Sequence, residues 1–415
     1  MIRSSRRLPR ALVNAARRAH SRRASHHAAP ARAAACTMPV TRSQAARYTR
    51  IPLAGGGQET LLSEVGAQYL LPLFTTAEAC ALRLVCREFL AAVTEQPWED
   101  EKTVIKGNIA AWRACFPRAL CAFLAQDNWY RVGRHAPVVE ADFVHLLGLR
   151  KLDVRGCASI NEAFFESLRG IHTLNISGCC LADITDAAFA HLSGIYRLDM
   201  CSCRQAGITD AAFAHLRGIH TLNMSCCTQP GITNAAFAHL RGIHTLDLSF
   251  CVQITDAAFT HLSGIHTLDM GGCNQASITD AAFVHLDGIQ TLVMRDCDQD
   301  GITDVAFAHL KGIHTLDMSG CDQQGITDAA FAHLSGIHTL IMGGCFQEGI
   351  SDAAFAHLGG IQELDMSDCT QASISGATFS HLAGVRELVI DKSRADLKAA
   401  AQALGLNWHE MEEFD

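Results

Sequence analysis

Cysteine is the residue type with the clearest chemical potential in this chain, because it recurs at one position of a repeated phrase. The steps between successive copies are 22 or 24 residues. Thiolates bind metals and take part in redox reactions, but a zinc site needs paired ligands such as C-x-x-C with a second pair nearby. One thiol per repeat does not provide such pairs. The ten cysteines are Cys157, Cys179, Cys203, Cys227, Cys251, Cys273, Cys297, Cys321, Cys345 and Cys369. We therefore expect packed thiols that hydrogen-bond the backbone of the next loop, with no metal site and no cofactor.

Histidine forms two further columns with the same period, one in the phrase A-H-L and one in the phrase I-H-T-L. Stacked imidazoles can capture metal ions, but a surface residue copied by duplication is the favoured interpretation, with a mild pH response. G-x-S-x-G, P-loop, H-E-x-x-H and dinucleotide-binding motifs are all absent from the sequence. The sequence therefore predicts no catalytic residues and a non-enzymatic protein.

The repeated unit itself has the periodicity of one strand followed by one short helix. Leu222 and Met224 alternate with polar residues, which indicates a strand with one buried face. Thr233 is placed to cap a short helix, Phe237 lies on its inward stripe, and Gly242 allows the chain to reverse. A fixed period of this size is typical of a solenoid whose strands stack in parallel. The pattern fits eleven times, at Phe143, Phe165, Phe189, Phe213, Phe237, Phe259, Phe283, Phe307, Phe331, Phe355 and Phe379.

The phrase L-x-x-L-x-L-x-x-C resembles the cysteine-containing subtype of leucine-rich repeats over about residues 140–393. The resemblance implies an α/β solenoid, a horseshoe with parallel strands on its concave face. We assign the repeats to residues 141–393, an N-terminal cap or linker to 113–140, and a C-terminal capping helix with an acidic tail to 394–415. Ser393 with Asp396 is placed to open this helix, and Gly405 to end it.

Outward positions of the predicted strands are the candidates for binding a partner. Acidic residues recur there and would attract a basic protein, although a charged stripe can equally serve to keep the array soluble. Val293, Arg295 and Ile341 depart from the consensus and are therefore the more informative positions for a specific partner. The predicted partner-binding residues are Asp153, Asp199, Asp247, Asp269, Val293, Arg295, Asp317, Ile341 and Asp365.

Residues 59–112 precede the repeats and contain residues that typically begin and end helices. Thr75 and Glu78 form a capping-box pattern, and the apolar residues of the following segment lie on one helical face. The run LRLVCREF, followed by Trp98, resembles an F-box, although Ser63 stands where that family usually has proline. The resemblance implies that a Skp-type adaptor binds Leu62, Leu70, Leu71, Phe74, Leu82, Val85 and Cys86.

An F-box followed by leucine-rich repeats implies the substrate-recognition subunit of a Skp–cullin–F-box ubiquitin ligase. Its partners would be the adaptor, the cullin scaffold and a protein substrate, for which the acidic residues of the strands favour a basic one. The chain would be at most a non-catalytic subunit. A different class of function is a leucine-rich-repeat scaffold or decoy binding module without a ligase link, in which the helices only cap the array. Both interpretations stay open at the level of sequence.

The first 58 residues differ sharply in charge from the rest of the chain. They contain twelve arginines and no lysine or carboxylate, whereas the whole chain has 34 basic and 42 acidic residues. Such a segment is typical of a disordered basic tail, a misassigned start or an organellar transit peptide, and only this tail is expected to contact nucleic acid. No apolar run is long enough to span a membrane. We expect a cytoplasmic or nuclear protein, or an organellar one if the segment is a transit peptide.

Overall fold

The computed structural model describes residues 74–83, 87–100, 104–105, 108–124, 138–157, 160–179 and 183–410. The described residues form a 13-stranded sheet in which the strands follow one another in sequence order. Each strand is parallel to its neighbours, and Leu222, for example, lies in register between Leu198 and Leu246. This arrangement confirms the predicted leucine-rich-repeat solenoid with α/β units. Each unit is called a rung here and takes the number of its strand.

The strands are three or four residues long. In a three-residue strand such as Thr221–Asn223 the central Leu222 is buried between two polar residues, and the buried Met224 follows directly after the strand. The strands are β1 Cys121–Phe123, β2 Lys151–Asp153, β3 Thr173–Asn175, β4 Arg197–Asp199, β5 Thr221–Asn223, β6 Thr245–Asp247, β7 Thr267–Asp269, β8 Thr291–Val293, β9 Thr315–Asp317, β10 Thr339–Ile341, β11 Glu363–Met366, β12 Glu387–Ile390 and β13 Trp408–Glu410.

Most rungs contain only a single turn of helix, and no helix in the described residues is long and apolar enough to cross a membrane. The α-helices are α1 Thr76–Arg83, α2 Arg87–Glu95, α3 Ile109–Cys115, α4 Glu162–Glu166, α5 Asp186–Phe189, α6 Asp210–Phe213, α7 Asp256–Phe259, α8 Asp280–Phe283, α9 Asp304–Phe307, α10 Asp328–Phe331, α11 Asp352–Phe355 and α12 Ala395–Ala403. 3₁₀ segments lie at Glu140–Leu146, Ala190–Leu192, Ala214–Leu216, Asn234–His239 and Gly376–His381.

The apolar core runs continuously along the solenoid. All eleven phenylalanines of the repeat position are buried, from Phe143 at 5% exposure to Phe283 at 0%. The two shorter units keep this phase, because the two missing residues fall in the loop between strand and helix: Ile160 and Ile254 are both buried. A deletion within a strand would have turned its apolar residues outward.

A column of aspartates joins the helical sides of successive rungs. Asp210 accepts hydrogen bonds from the amide and the hydroxyl of Thr233 in the next rung, both at 2.7 Å. Asn234 makes the equivalent pair of contacts with Thr255. The same contact recurs at Asp186, Asp256, Asp280, Asp304, Asp328 and Asp352. This link between rungs becomes visible only when the rungs are stacked.

The N-terminal helices pack against the first rungs. Trp98 is buried, stacks on Phe116 with ring centroids 4.9 Å apart, and donates its indole N–H to Thr76 Oγ1 at 3.1 Å. Its backbone N–H donates to Arg118 O, and its carbonyl accepts from Leu120 N. The segment from α1 to Trp98 therefore shares one core with the solenoid and helps to cover its N-terminal end.

The C-terminal end differs in detail from the prediction. Ser393 was expected to open the last helix, but its hydroxyl and amide donate to Asp391 and the helix begins at Ala395. Gly405 ends the helix with φ 68°, as expected. Strand β13, which the sequence did not indicate, then pairs with β12 and extends the sheet by one rung. The last five residues of the acidic tail lie outside the described residues.

Candidate functional site

The cysteine column is a structural hydrogen-bond ladder. Cys203 Sγ donates to Ile176 O at 3.2 Å, and Cys297 Sγ donates to Met270 O at 3.3 Å. The acceptor thus lies in the preceding rung, whereas the sequence pattern predicted the next loop. Burial raises the pKa of Cys273 and Cys297 to about 12, so these thiols stay protonated at neutral pH. Cys157, in the first complete rung, is only half-buried.

The histidines of the phrase I-H-T-L form ring stacks along one side of the sheet. His220, His244 and His266 follow one another with ring centroids 4.5 and 4.4 Å apart. Tyr196 continues the stack towards the N terminus, and its role was not apparent from the sequence. Within the part of the chain that the structure describes, no group of three or more His, Cys, Asp or Glu is placed to hold a metal ion.

The predicted acidic column lies on the outward face of the strands, but its oxygens are engaged within their own rungs. Asp247 Oδ1 accepts hydrogen bonds from the amide of Ser249 at 3.0 Å and from its hydroxyl at 2.7 Å. In the neighbouring rung Asn223 Oδ1 accepts the same pair from Ser225 at 2.9 and 2.8 Å. Where this position holds Asp or Asn, the side-chain oxygen closes the turn after the strand, so either residue can fill it. Val293 and Ile341 occupy the same position without such an acceptor.

The other acidic members of this column are also partly withdrawn from solvent. Asp153 is 3% exposed and forms a salt bridge with Arg155. Burial raises the pKa of Asp199 and of Asp269, and the guanidinium of Arg295 lies 3.7 Å from the Asp269 carboxylate. Neighbouring arginines therefore offset the charge of two of these carboxylates, Asp153 and Asp269.

The remaining predicted contacts lie on the same face. Asp317 and Asp365 accept backbone N–H groups in the turns of their own rungs, at 3.0 and 2.9 Å. Val293 and Ile341 are half-buried at the ends of β8 and β10. The structure thus brings all nine residues to one face and adds a structural role for most of the carboxylates.

We expect Asp247→Asn to change the free energy of unfolding by less than about 0.5 kcal/mol, because the amide oxygen accepts the same two bonds. Asp247→Ala removes the acceptor and is expected to cost about 1–2 kcal/mol. Chemical denaturation followed by circular dichroism measures both variants. Equal losses for Asn and Ala would show that the charge, and not the acceptor oxygen, is what the turn requires.

The loop edge, which we define as the residues immediately before and after each repeat cysteine, is more exposed than the acidic column. Phe250 and Val252 on either side of Cys251 are 47% and 58% exposed, and Phe346 is 49% exposed. The residues predicted from the sequence belong mainly to the strand face. A signal for this edge was present, since the residue after the cysteine varies from rung to rung while the cysteine does not.

The predicted adaptor-binding residues fall mostly beyond the described part of the chain. Leu62, Leu70, Leu71, Val85 and Cys86 lie outside the described residues. Of the other two, Phe74 is half-buried against the core. Leu82 belongs to α1, but its side chain lies outside the described part.

No family model and no curated protein sequence matches this chain. Solved leucine-rich-repeat structures are similar to it in fold. Toll, in the Toll–Spatzle complex from Drosophila, matches at 16% identity and a TM-score of 0.49 over 71% of this chain and 46% of Toll. An internalin from Listeria monocytogenes matches at 17% identity and a TM-score of 0.46 over 66% of this chain and 83% of the internalin. The chain spans about half the length of the Toll structures that it matches.

Proposed function

We propose that this chain is a protein-interaction receptor, the substrate-recognition subunit of a Skp–cullin–F-box ubiquitin ligase. The observation that carries the proposal is the 13-stranded solenoid preceded by helices α1 and α2, together with the run LRLVCREF in the sequence. In this role the solenoid holds a substrate protein and the helical segment binds the adaptor. The chain itself makes and breaks no bonds, because ubiquitin is transferred by a separate enzyme through proximity.

Local geometry of the helical segment supports the proposal. Glu78 accepts from the Thr75 amide at 2.9 Å, and the Glu78 amide donates to Thr75 Oγ1 at 3.4 Å, which is the reciprocal capping box expected at the start of α1. Helix α2 follows, and Trp98 then lies at the position where the F-box pattern places a tryptophan. Two short helices and a buried tryptophan ahead of the repeats are what the resemblance implies.

One observation favours the second candidate function, a leucine-rich-repeat scaffold or decoy without a ligase link. Trp98 stacks on Phe116 and pairs with Ala119, so the helical segment already has a structural task as the cover of the first rungs. A solenoid end needs such a cover whether or not an adaptor binds. Deletion of residues 59–100 would therefore remove the adaptor-binding residues and the cover of the first rungs together. Point variants separate these two roles.

The test mixes the full chain with a Skp-type adaptor and measures the dissociation constant by calorimetry. We expect a complex at micromolar concentration or tighter, and at least tenfold weaker binding for Leu70→Asp or Leu71→Asp. The matched control is Leu404→Asp, at a leucine that is 54% exposed near the C-terminal end of the solenoid. Absence of a complex with the folded full chain, or equal weakening by the control, would favour the scaffold.

A further inference from the structure

The loop edge presents variable side chains on a constant frame. The residue after the cysteine is exposed in every rung from β4 to β11, namely Arg204, Thr228, Val252, Asn274, Asp298, Asp322, Phe346 and Thr370. The residue that follows it is always glutamine. Except at Gln229, the side-chain N–H of this glutamine donates to the carbonyl of the cysteine in the preceding rung, as from Gln253 to Cys227 O at 2.7 Å and from Gln347 to Cys321 O at 2.8 Å. These bonds fix the loop backbone while the exposed neighbouring position differs between rungs.

Two apolar sites mark this edge. In rung 6, Phe250 adopts φ 58° at a position where rungs 7, 9 and 10 have glycine. Its ring lies directly against Gly272 of rung 7, since a Cβ built on that glycine would come within 2.3 Å of the ring. Together with Val252 it forms an exposed apolar pair, and Phe346 provides a second apolar site in rung 10. Exposed aromatic residues amid polar ones are typical of interaction surfaces.

Between the two apolar sites the loop edge is acidic. Asp296, Asp298 and Asp322 are exposed in rungs 8 and 9, and no ion pair joins any of them to a cation within the described residues. Partial burial and then the charges of Asp322 and Asp296 raise the pKa of Asp298. Residues 242–410 as a whole contain 6 basic against 21 acidic residues. Positive charge on a partner would relieve this repulsion.

The distance between the two apolar sites determines how long a bound peptide segment must be to contact both. Phe250 and Phe346 are four rungs apart, which corresponds to about 19 Å at about 4.8 Å per parallel strand. An extended peptide covers this distance with about six residues. We propose that the loop edge of rungs 6–10 is the docking surface for an extended Lys- and Arg-rich segment of a partner protein, with an apolar residue at each end. This inference rests on the proposed role of the solenoid as a protein receptor and locates its partner-binding surface.

The test uses the full chain and a fluorescein-labelled peptide with five alternating Arg and Lys residues between an N-terminal Phe and a C-terminal Leu. Fluorescence anisotropy is expected to show micromolar binding that weakens when NaCl is raised. Phe346→Ala, and the double change Asp298→Asn with Asp322→Asn, are each expected to weaken binding at least tenfold. The matched control is Asp317→Asn, which removes one carboxylate from the strand face of rung 9 and is expected to change binding less than twofold.

Four results would overturn the inference. If Asp317→Asn weakens binding as much as the loop-edge changes do, the strand face is the site. If the peptide does not bind, or if all variants bind equally, the loop edge is not a docking surface for such a segment. If binding appears only after residues 1–58 are removed, the chain's own Arg-rich segment is the occupant. The adaptor measurement is independent, so an adaptor complex without peptide binding refutes this surface alone, and peptide binding without an adaptor complex refutes the ligase role alone.

Discussion

Replacing Phe283 with alanine is expected to lower the free energy of unfolding by about 4 kcal/mol. Phe283 ends α8 and is completely buried. Truncation loses the transfer free energy of the ring and leaves a cavity that the surrounding backbone cannot fully close. Because each rung is stabilised mainly by its two neighbours, the damage is expected to spread to rungs 6 and 8 as local unfolding. Chemical denaturation followed by far-ultraviolet circular dichroism measures the loss, and hydrogen exchange locates it.

Phe346→Ala is the matched control for this prediction. The same residue type is 49% exposed at this position, so its truncation is expected to change the free energy of unfolding by less than about 0.5 kcal/mol. If both variants lose the same stability, the phenylalanine column is not the main apolar core of the solenoid. The control also ensures that any loss of peptide binding by Phe346→Ala reflects a lost contact and not a lost fold.

The stability of the solenoid is expected to fall steeply as the pH is raised above 9, because the buried thiols must then ionise. Burial raises the pKa of Cys273, Cys297 and Cys369 to about 12, and it raises the pKa of Cys227 and Cys345 further. A thiol whose folded pKa lies above its unfolded value contributes its full stability below the unfolded pKa. That contribution is lost as the pH rises towards the folded pKa. Each such thiol is expected to lower the free energy of unfolding by about 1.4 kcal/mol for every pH unit between about pH 9 and its folded pKa.

The measurement is the denaturation midpoint as a function of pH, with thiolate absorbance counting the protons released on unfolding. Several thiols are expected to release their protons together, whereas the half-buried Cys157, with a pKa of about 11, contributes over a narrower range. Cys297→Ser is the matched variant, because a hydroxyl can donate to Met270 O but does not titrate in this range. It is expected to show a shallower alkaline slope. A midpoint that is flat from pH 8 to 11 would contradict the prediction.

Repetition makes much of the fold predictable from the amino-acid pattern of one unit. Leu222 and Met224 alternate with polar neighbours, and Phe237 recurs at a constant distance after them, so strand, buried face and helix all follow from that unit. Copying the unit then dictates the parallel stacking, because identical apolar faces can be buried only against each other. The cysteine column was likewise predicted to be packed inward and free of disulfides. The structure differs in the rung that supplies the acceptor and in Cys157, which is only half-buried.

The candidate binding surfaces were harder to predict from the sequence. The acidic column suggested charge for a partner, but Asp247 closes its own turn and Asn223 does the same without charge. The link from Asp210 to Thr233 joins residues that are adjacent in space although they stand 23 positions apart in the chain. The packing of Trp98 on Phe116 is a contact of the same kind.

The sequence by itself determined the period, the inward face of each unit and the residues that fill the core, since these depend on alternation within one rung. Only the tertiary structure decided which polar side chains are engaged by neighbouring turns and rungs and which stay exposed. Stacking places residues 22 to 24 positions apart side by side, and hydrogen bonds and charge repulsion act over that distance in space. The periodicity of one rung does not show which residue of the neighbouring rung a carboxylate contacts.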